Sequence, residues 1–219
     1  KSKYVQSEIG DCFAEAGKFL AAGKKVIFSG TPCQLAGLRA FLGKEHEHLL
    51  CVDFICHGAG SPAVFALAWR HIEKRAGKKL IRYTFRNRLE RCGNWRDFVC
   101  CYEFDDGQRI WEPSDTYQRF FLTQLCLRAS CGENCKFRNR NRPSDITIAD
   151  FKGKFEVFPR MMDHRNYSTI IVNTPKGDTV CRSLTYSMRV LPCSMSDIER
   201  SLFNSLKANP DRERFFKVF

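Results

Sequence analysis

Two short continuous apolar runs, Val26-Ile27-Phe28 and Leu49–Ile55, are each followed by a turn and then by a helix-period stretch. Runs without polar alternation are what strands buried in a parallel sheet show. The first run ends in Ser29-Gly30-Thr31-Pro32, with the proline placed to open a helix over 33–42 that stops at Gly43. The second ends in Cys56-His57-Gly58, and Pro62 opens another helix to about Arg75. Strand–helix–strand–helix in this order predicts a parallel sheet with a right-handed crossover. Parallel pairing sends both carboxyl ends to one sheet edge, where open α/β proteins bind ligands. Cys33 follows the first strand and Cys56 the second, so two thiols distant in sequence are expected at one crevice.

Around this core the pattern changes. Ser7–Ala22 reads as an amphipathic helix with Ser7 as N-cap and Ile9, Cys12, Phe13, Ala16 and Leu20 on one face. Leu80–Phe85 and Phe98–Phe104 read as strands, and Asp105-Asp106-Gly107 is a hairpin turn leading into Arg109–Trp111. Residues 87–94 read as a loop and Thr116–Leu125 as a helix. Asp145–Ala149 and Thr169–Asn173 read as strands, with terminal helices over Lys176–Ser187 and Ser196–Ala208. The expected fold is α/β: a mixed sheet with a parallel strand–helix–strand core, a cysteine-rich loop region and C-terminal helices. A single domain is expected over 1–219, with its core over about 1–174 and a helical extension over about 175–219.

At 219 residues the chain buries enough apolar surface to fold without disulfides. It holds no run of eighteen apolar residues and no basic-then-apolar secretory leader, so a cytoplasmic protein without a membrane span is expected. The formal charge of +12 favours anionic partners, and its densest stretch is Lys136–Arg142. Twelve cysteines is a high count, and in a reducing compartment they point to metal rather than to disulfides. Cys51, Cys100 and Cys101 fall inside apolar runs and read as small buried hydrophobes.

Cys126, Cys131 and Cys135 lie within ten residues, in a stretch of small and polar residues. Closely spaced thiolates on a loop converge on zinc or an iron–sulfur centre, and spacing alone does not separate the two. Three local thiols leave at least one ligand of a four-thiolate cluster to come from elsewhere. Cys33 and Cys56 are the candidates, Cys33 standing at a predicted helix N-terminus, a usual place for a ligating or reactive sulfur.

Six further blocks follow in order along the chain: Lys3-Tyr4-Val5-Gln6-Ser7; Ser29 through Leu38; Val52-Asp53 with Cys56-His57-Gly58 and Ser61-Pro62; Leu125 through Arg128 with Ser130-Cys131 and Cys135-Lys136-Phe137; Arg142 through Thr147; and Asp150-Phe151. Together they resemble the beta subunits of the coenzyme F420 hydrogenase/dehydrogenase family, from the start of the chain to about Thr174. The resemblance implies an oxidoreductase subunit that passes electrons between a deazaflavin, or another low-potential donor, and a partner through FAD and one [4Fe–4S] cluster. The ligands it implies are Cys33, Cys56, Cys131 and Cys135, with Cys126 an extra thiol or alternative ligand. Gly30, Thr31 and Asp150 are its candidate flavin contacts, and no catalytic residue is assigned. A redox coenzyme or ferredoxin-like protein is the expected electron partner, together with hydrogenase, dehydrogenase or other oxidoreductase subunits. Arg138, Arg140 and Arg142 are candidates to steer an acidic coenzyme tail or ferredoxin.

Two departures from the family pattern stand out. The last cysteine pair is spaced C-x3-C where the family commonly has C-x2-C, and the ferredoxin-like segment upstream of many relatives, with a Gly-rich flavin segment, is expected to be absent from this chain. Two alternatives from other classes are a zinc-stabilised basic nucleic-acid-binding module and a degenerate, non-catalytic partner subunit. The first explains Cys33 and Cys56 poorly and lacks an aromatic-rich basic platform, so nucleic acid is not expected.

Overall fold

A computed structural model describes residues 4–85, 99–113, 115–132, 135–151, 167–196, 198, 203 and 209–218. The chain divides into two compact units. One comprises Lys1–Ser7, His57–Cys135 and Leu206–Phe219; the other comprises Glu8–Cys56 and Lys136–Ser205.

The second unit contains the parallel core that the apolar runs predict. Its sheet has the order β1-β2-β6-β7, with β1 (Val26–Gly30), β2 (Leu49–Phe54), β6 (Ile146–Asp150) and β7 (Ser168–Val172). β1, β2 and β6 run parallel, and β7 closes the sheet antiparallel to β6, which makes the sheet mixed. Helix α2 (Pro32–Leu42) connects β1 to β2. It starts on Pro32, whose missing N–H costs nothing in the first turn, and ends at Gly43 in the left-handed region (φ 69°). Leu35 and Leu38 of α2 and Ala16 and Leu20 of α1 (Cys12–Ala21) bury against Leu49 and Cys51 of β2. Alternation along the strands leaves Ile27, Phe54, Ile148, Ile170 and Val172 exposed.

Helix α1 starts at Cys12, not at Ser7. Gly10 takes φ 51°, which breaks any helix across 7–11, and Asp11 stands at the N-cap. Cys12 is consequently exposed rather than on the apolar face.

The first unit holds an antiparallel sheet β3-β4-β5: β3 (Leu80–Thr84), β4 (Val99–Phe104) and β5 (Arg109–Pro113). The hairpin turn lies where Asp105-Asp106-Gly107 predicts it, with Gly107 at φ 79°. Helix α3 (Pro62–Ala76) packs here: Val64 and Ile72 share a core with Tyr83, Tyr102, Phe104, Tyr117 and Phe121. Helix α4 (Thr116–Leu122) begins at Asp115, whose side chain accepts from the Gln118 N–H. It stops short of the expected Leu125 because Gln124 turns left-handed (φ 68°). Helix α5 (Pro175–Leu184), in the second unit, is capped by Thr174. Helix α6 (Arg212–Val218) returns to the first unit, where Arg212 donates to the Leu125 carbonyl (3.0 Å) and Phe215 meets Phe120 edge-on at 5.0 Å. The loop expected over 87–94 and most of the helix expected over 196–208 lie outside the described residues.

No disulfide joins any described cysteine. Cys51 and Cys100 are fully buried and Cys101 nearly so, as their apolar settings predict. Among the described residues no helix is long and apolar enough to cross a membrane.

Candidate functional site

In the second unit, Gly30 at the end of β1 pairs in parallel register with Asp53 of β2. Cys33 and Cys56 each lie three residues beyond this pair. Cys33 is exposed in the first turn of α2, with its sulfur 3.1 Å from the Thr31 hydroxyl. That turn is closed by a capping box: the Thr31 N–H donates to Gln34 Oε1 (2.9 Å), and the Gln34 N–H meets the Thr31 side chain. Gly30 leaves room for the folded-back glutamine, since a Cβ there would stand 3.1 Å from Gln34 Oε1. Pro32 has no N–H, so Cys33 is the one residue of this first turn whose N–H the box does not use. Asp150, the last residue of β6, is exposed opposite Ser168.

Next to Cys56 the basic run turns inward. Arg138 donates to the Cys56 carbonyl at 3.2 Å. Arg142 donates to the carbonyls of Phe137 (2.9 Å) and Phe54 (3.1 Å). It also stands 2.9 Å from the Asp53 carboxylate, the two side chains being 2% and 0% exposed. This contact is an ion pair without the alignment of a hydrogen bond, since Asp53 makes no hydrogen bond through either oxygen. Arg142 is therefore buried and committed, which corrects its reading as a steering charge. Arg140 remains exposed.

In the first unit, residues 59–61 pair with residues 126–128. Gly60 and Leu127 form an antiparallel bridge, Ser61 N–H donates to the Cys126 carbonyl (2.7 Å), and Arg128 N–H donates to the Ala59 carbonyl (2.8 Å). The bridge carries Cys131 to Gly58 and Ala59. Its sulfur accepts from the Ala59 N–H at 3.4 Å, and a Cβ on Gly58 would lie 3.4 Å from its Cβ. Gly58 takes φ 142°, which side chains rarely adopt. Cys131 and Cys135 are partly exposed. Cys126, by contrast, is wholly buried in the aromatic core. Within each unit, among the described residues, no three His, Cys, Asp or Glu side chains converge as a metal-binding group.

Burial pushes the Cys126 thiol from an ordinary 9.0 up to about 11, and does the same to Cys51. Both favour the protonated form when folded. Their contribution to stability is complete below the unfolded value and is lost as pH rises towards 11, at about 1.4 kcal/mol per pH unit per thiol. Urea titrations of the metal-free protein at pH 8.5 and 10.5 are expected to show wild type losing more stability than a Cys51→Ala/Cys126→Ala variant. Equal losses would remove the buried-thiol account.

The family model for the C-terminal part of the coenzyme F420 hydrogenase/dehydrogenase beta subunit matches residues 23–194. The chain belongs to that family. All five candidate ligand cysteines of this F420 hydrogenase/dehydrogenase beta-subunit homologue fall inside the matched span. A solved structure of the F420-reducing [NiFe] hydrogenase complex from Methanosarcina barkeri, derivatized with xenon, is similar to it at 14% identity and a TM-score of 0.45. That similarity covers 99% of this chain and 67% of the other. Comparison with curated proteins returns no match.

Of the ligands that the resemblance implies, Cys33 and Cys56 thus lie in the second unit, beyond neighbouring strand ends, and Cys131 and Cys135 in the first. Two features of the site were missed: the inward basic run, and the 59–61/126–128 pairing. The first had a legible signal. Arg142 follows an Asn-rich turn, in which Asn139 bridges the Lys136 carbonyl and the Asn141 N–H, a pattern typical of an ordered loop.

Proposed function

We propose that this family member is an oxidoreductase subunit that carries electrons between a reduced coenzyme, F420-like or another low-potential donor, and a protein partner, using FAD and a [4Fe–4S] cluster. The cluster ligands in this reading are Cys33, Cys56, Cys131 and Cys135. The observation that carries it is the register of β1 and β2, which sets Cys33 and Cys56 three residues past one strand pair, at the edge where parallel sheets bind ligands. The donor chemistry fits: partly or fully exposed thiols suit a soft iron–sulfur centre, whereas Cys126 fills the core and serves as a packed thiol.

When bound, the flavin supplies hydride exchange with the coenzyme and one-electron exchange with the cluster. The chain's own task is placement. Gly30 and Thr31 are the proposed flavin-phosphate contacts at the start of α2, and Asp150 a contact for a flavin hydroxyl. In the conformation seen, the capping box occupies the Thr31 N–H, so a phosphate contact there requires the Gln34 side chain to turn away. The exposed Arg140 adds positive charge that attracts an acidic coenzyme tail or ferredoxin surface.

Anaerobic purification followed by iron and sulfide analysis and a visible spectrum tests the reading. Brown absorption with about four irons per chain is expected, and Cys131→Ser should bleach it while Cys126→Ala keeps it. A colourless protein that holds zinc, or iron content unchanged by Cys131→Ser, would overturn the assignment.

A further inference from the structure

The run Lys136–Arg142 is ordered from within and fastened from without. Asn139 donates to the Lys136 carbonyl (2.7 Å) and accepts from the Asn141 N–H (2.8 Å), and Arg142 reaches back to the Phe137 carbonyl. This self-closed loop is then tied to the last residues of β2, to the turn beyond it and to helix α2. Arg142 binds the Phe54 carbonyl and pairs with Asp53; Arg138 binds the Cys56 carbonyl; Arg39 binds the Pro143 carbonyl at 2.7 Å. A surface-steering run has no need to commit two of its three arginines to backbone carbonyls, and a guanidinium buried to 2% exposure persists only when it is paired. Beyond the Ile55 N–H, which donates to the Ile148 carbonyl at 3.1 Å, these charged donors bind the Phe54 and Cys56 carbonyls and add charge-assisted hydrogen bonds to the backbone there.

We propose that Arg138 and Arg142 are positioning residues, with Asp53 as the counter-charge that keeps Arg142 in place: together they hold the Cys56 backbone in a single conformation by fastening it to the segment that follows Cys135. The inference rests on the reading of Cys56 as a cluster ligand for its functional meaning, but the clamp itself is a property of the metal-free chain. A lysine cannot replace Arg142, because one ammonium does not span the Phe54 and Phe137 carbonyls and the Asp53 carboxylate together.

The test compares alkylation of Cys56 with that of Cys33 in the anaerobic metal-free protein, using iodoacetamide and peptide mass spectrometry. Both thiols lie in the same unit, so the ratio cancels a general loss of stability. Arg138→Gln is expected to raise the Cys56-to-Cys33 labelling ratio about tenfold, the scale of one charge-assisted hydrogen bond, with little change in melting temperature. Arg138→Lys should recover part of the protection, and Arg142→Lys should raise the ratio as well. After iron and sulfide reconstitution, Arg138→Gln should retain less iron per chain than wild type. A labelling ratio unchanged in both Arg138→Gln and Arg142→Lys overturns the clamp, whatever the iron content. Failure of wild type to take up iron while the ratio still rises overturns the cluster reading and leaves the clamp standing.

Discussion

Replacing Asp145 with alanine is expected to destabilise the second unit by about 4 kcal/mol, enough to threaten folding of a marginally stable domain. The Asp145 side chain is 2% exposed, and each of its oxygens has a definite task. Oδ2 accepts from the Cys51 N–H at 2.8 Å, while the Asp145 N–H returns a bond to the Cys51 carbonyl, also at 2.8 Å. Oδ1 accepts from the Thr174 hydroxyl (2.8 Å), which itself accepts from the Gly177 N–H (3.1 Å) to cap α5. The Asp145 carbonyl accepts from the Asn173 N–H at 2.9 Å. One carboxylate therefore joins β2, the start of β6 and the cap of α5. Alanine strands a buried backbone N–H and releases the cap, and buried donors left without partners cost about 1–3 kcal/mol each. Asp145→Asn should lose roughly half as much as alanine, because its amide oxygen keeps one of the two acceptor roles. Urea denaturation followed by circular dichroism measures both, and an alanine variant within about 1 kcal/mol of wild type would show that this junction is not structural. The tolerance is small on the other side as well: a Cβ on Gly177 would stand 2.2 Å from the Asp145 carbonyl oxygen.

Gly60→Ala is expected to destabilise the first unit by about 3 kcal/mol, the upper part of the range for overpacking. Its added Cβ would lie 2.4 Å from the Tyr117 hydroxyl, which is not free to retreat. Tyr117 is 1% exposed, and its hydroxyl donates to the Tyr4 carbonyl at 3.0 Å. The methyl group therefore displaces either that hydroxyl or the Gly60–Leu127 bridge that carries the Cys131 segment. Tyr117→Phe removes the clashing oxygen at the cost of one hydrogen bond, about 1 kcal/mol. The Gly60→Ala/Tyr117→Phe pair should thus melt higher than Gly60→Ala alone. A double variant no more stable than the single one would place the strain in the backbone rather than at the hydroxyl.

Membership of the F420 hydrogenase/dehydrogenase beta-subunit family was legible from short blocks of turn residues and cysteines that follow one another in order along the chain. The position of Cys33 and Cys56 beyond neighbouring strand ends was legible for a related reason: continuous apolar runs mark the strands, and parallel pairing decides where their ends lie. The burial of Cys51, Cys100 and Cys101 followed from their apolar neighbours. Harder to read was Cys126, which the local spacing groups with Cys131 and Cys135 but the core claims. Spacing reports which thiols are near in sequence; burial depends on what packs over them.

The amino-acid sequence by itself determined the local elements: β1, α2 and β2 with their proline and glycine boundaries, the hairpin at Asp105–Gly107, and the cysteine-bearing turns. These signals act over a few residues, through φ preferences and apolar period. Only the tertiary structure decided which element joins which sheet. Helix α3 follows β2 as if to cover the parallel sheet, yet packs its apolar face on Tyr83, Tyr102 and Tyr117 in the other unit. Strand β6 takes its place beside β2 after an excursion through β3, β4 and β5. Arg138 and Arg142, which read in sequence as steering charges, turn inward to carbonyls and Asp53. Partner choice among amphipathic faces and charges is a contest over total burial and pairing, and its outcome depends on residues far apart in the chain.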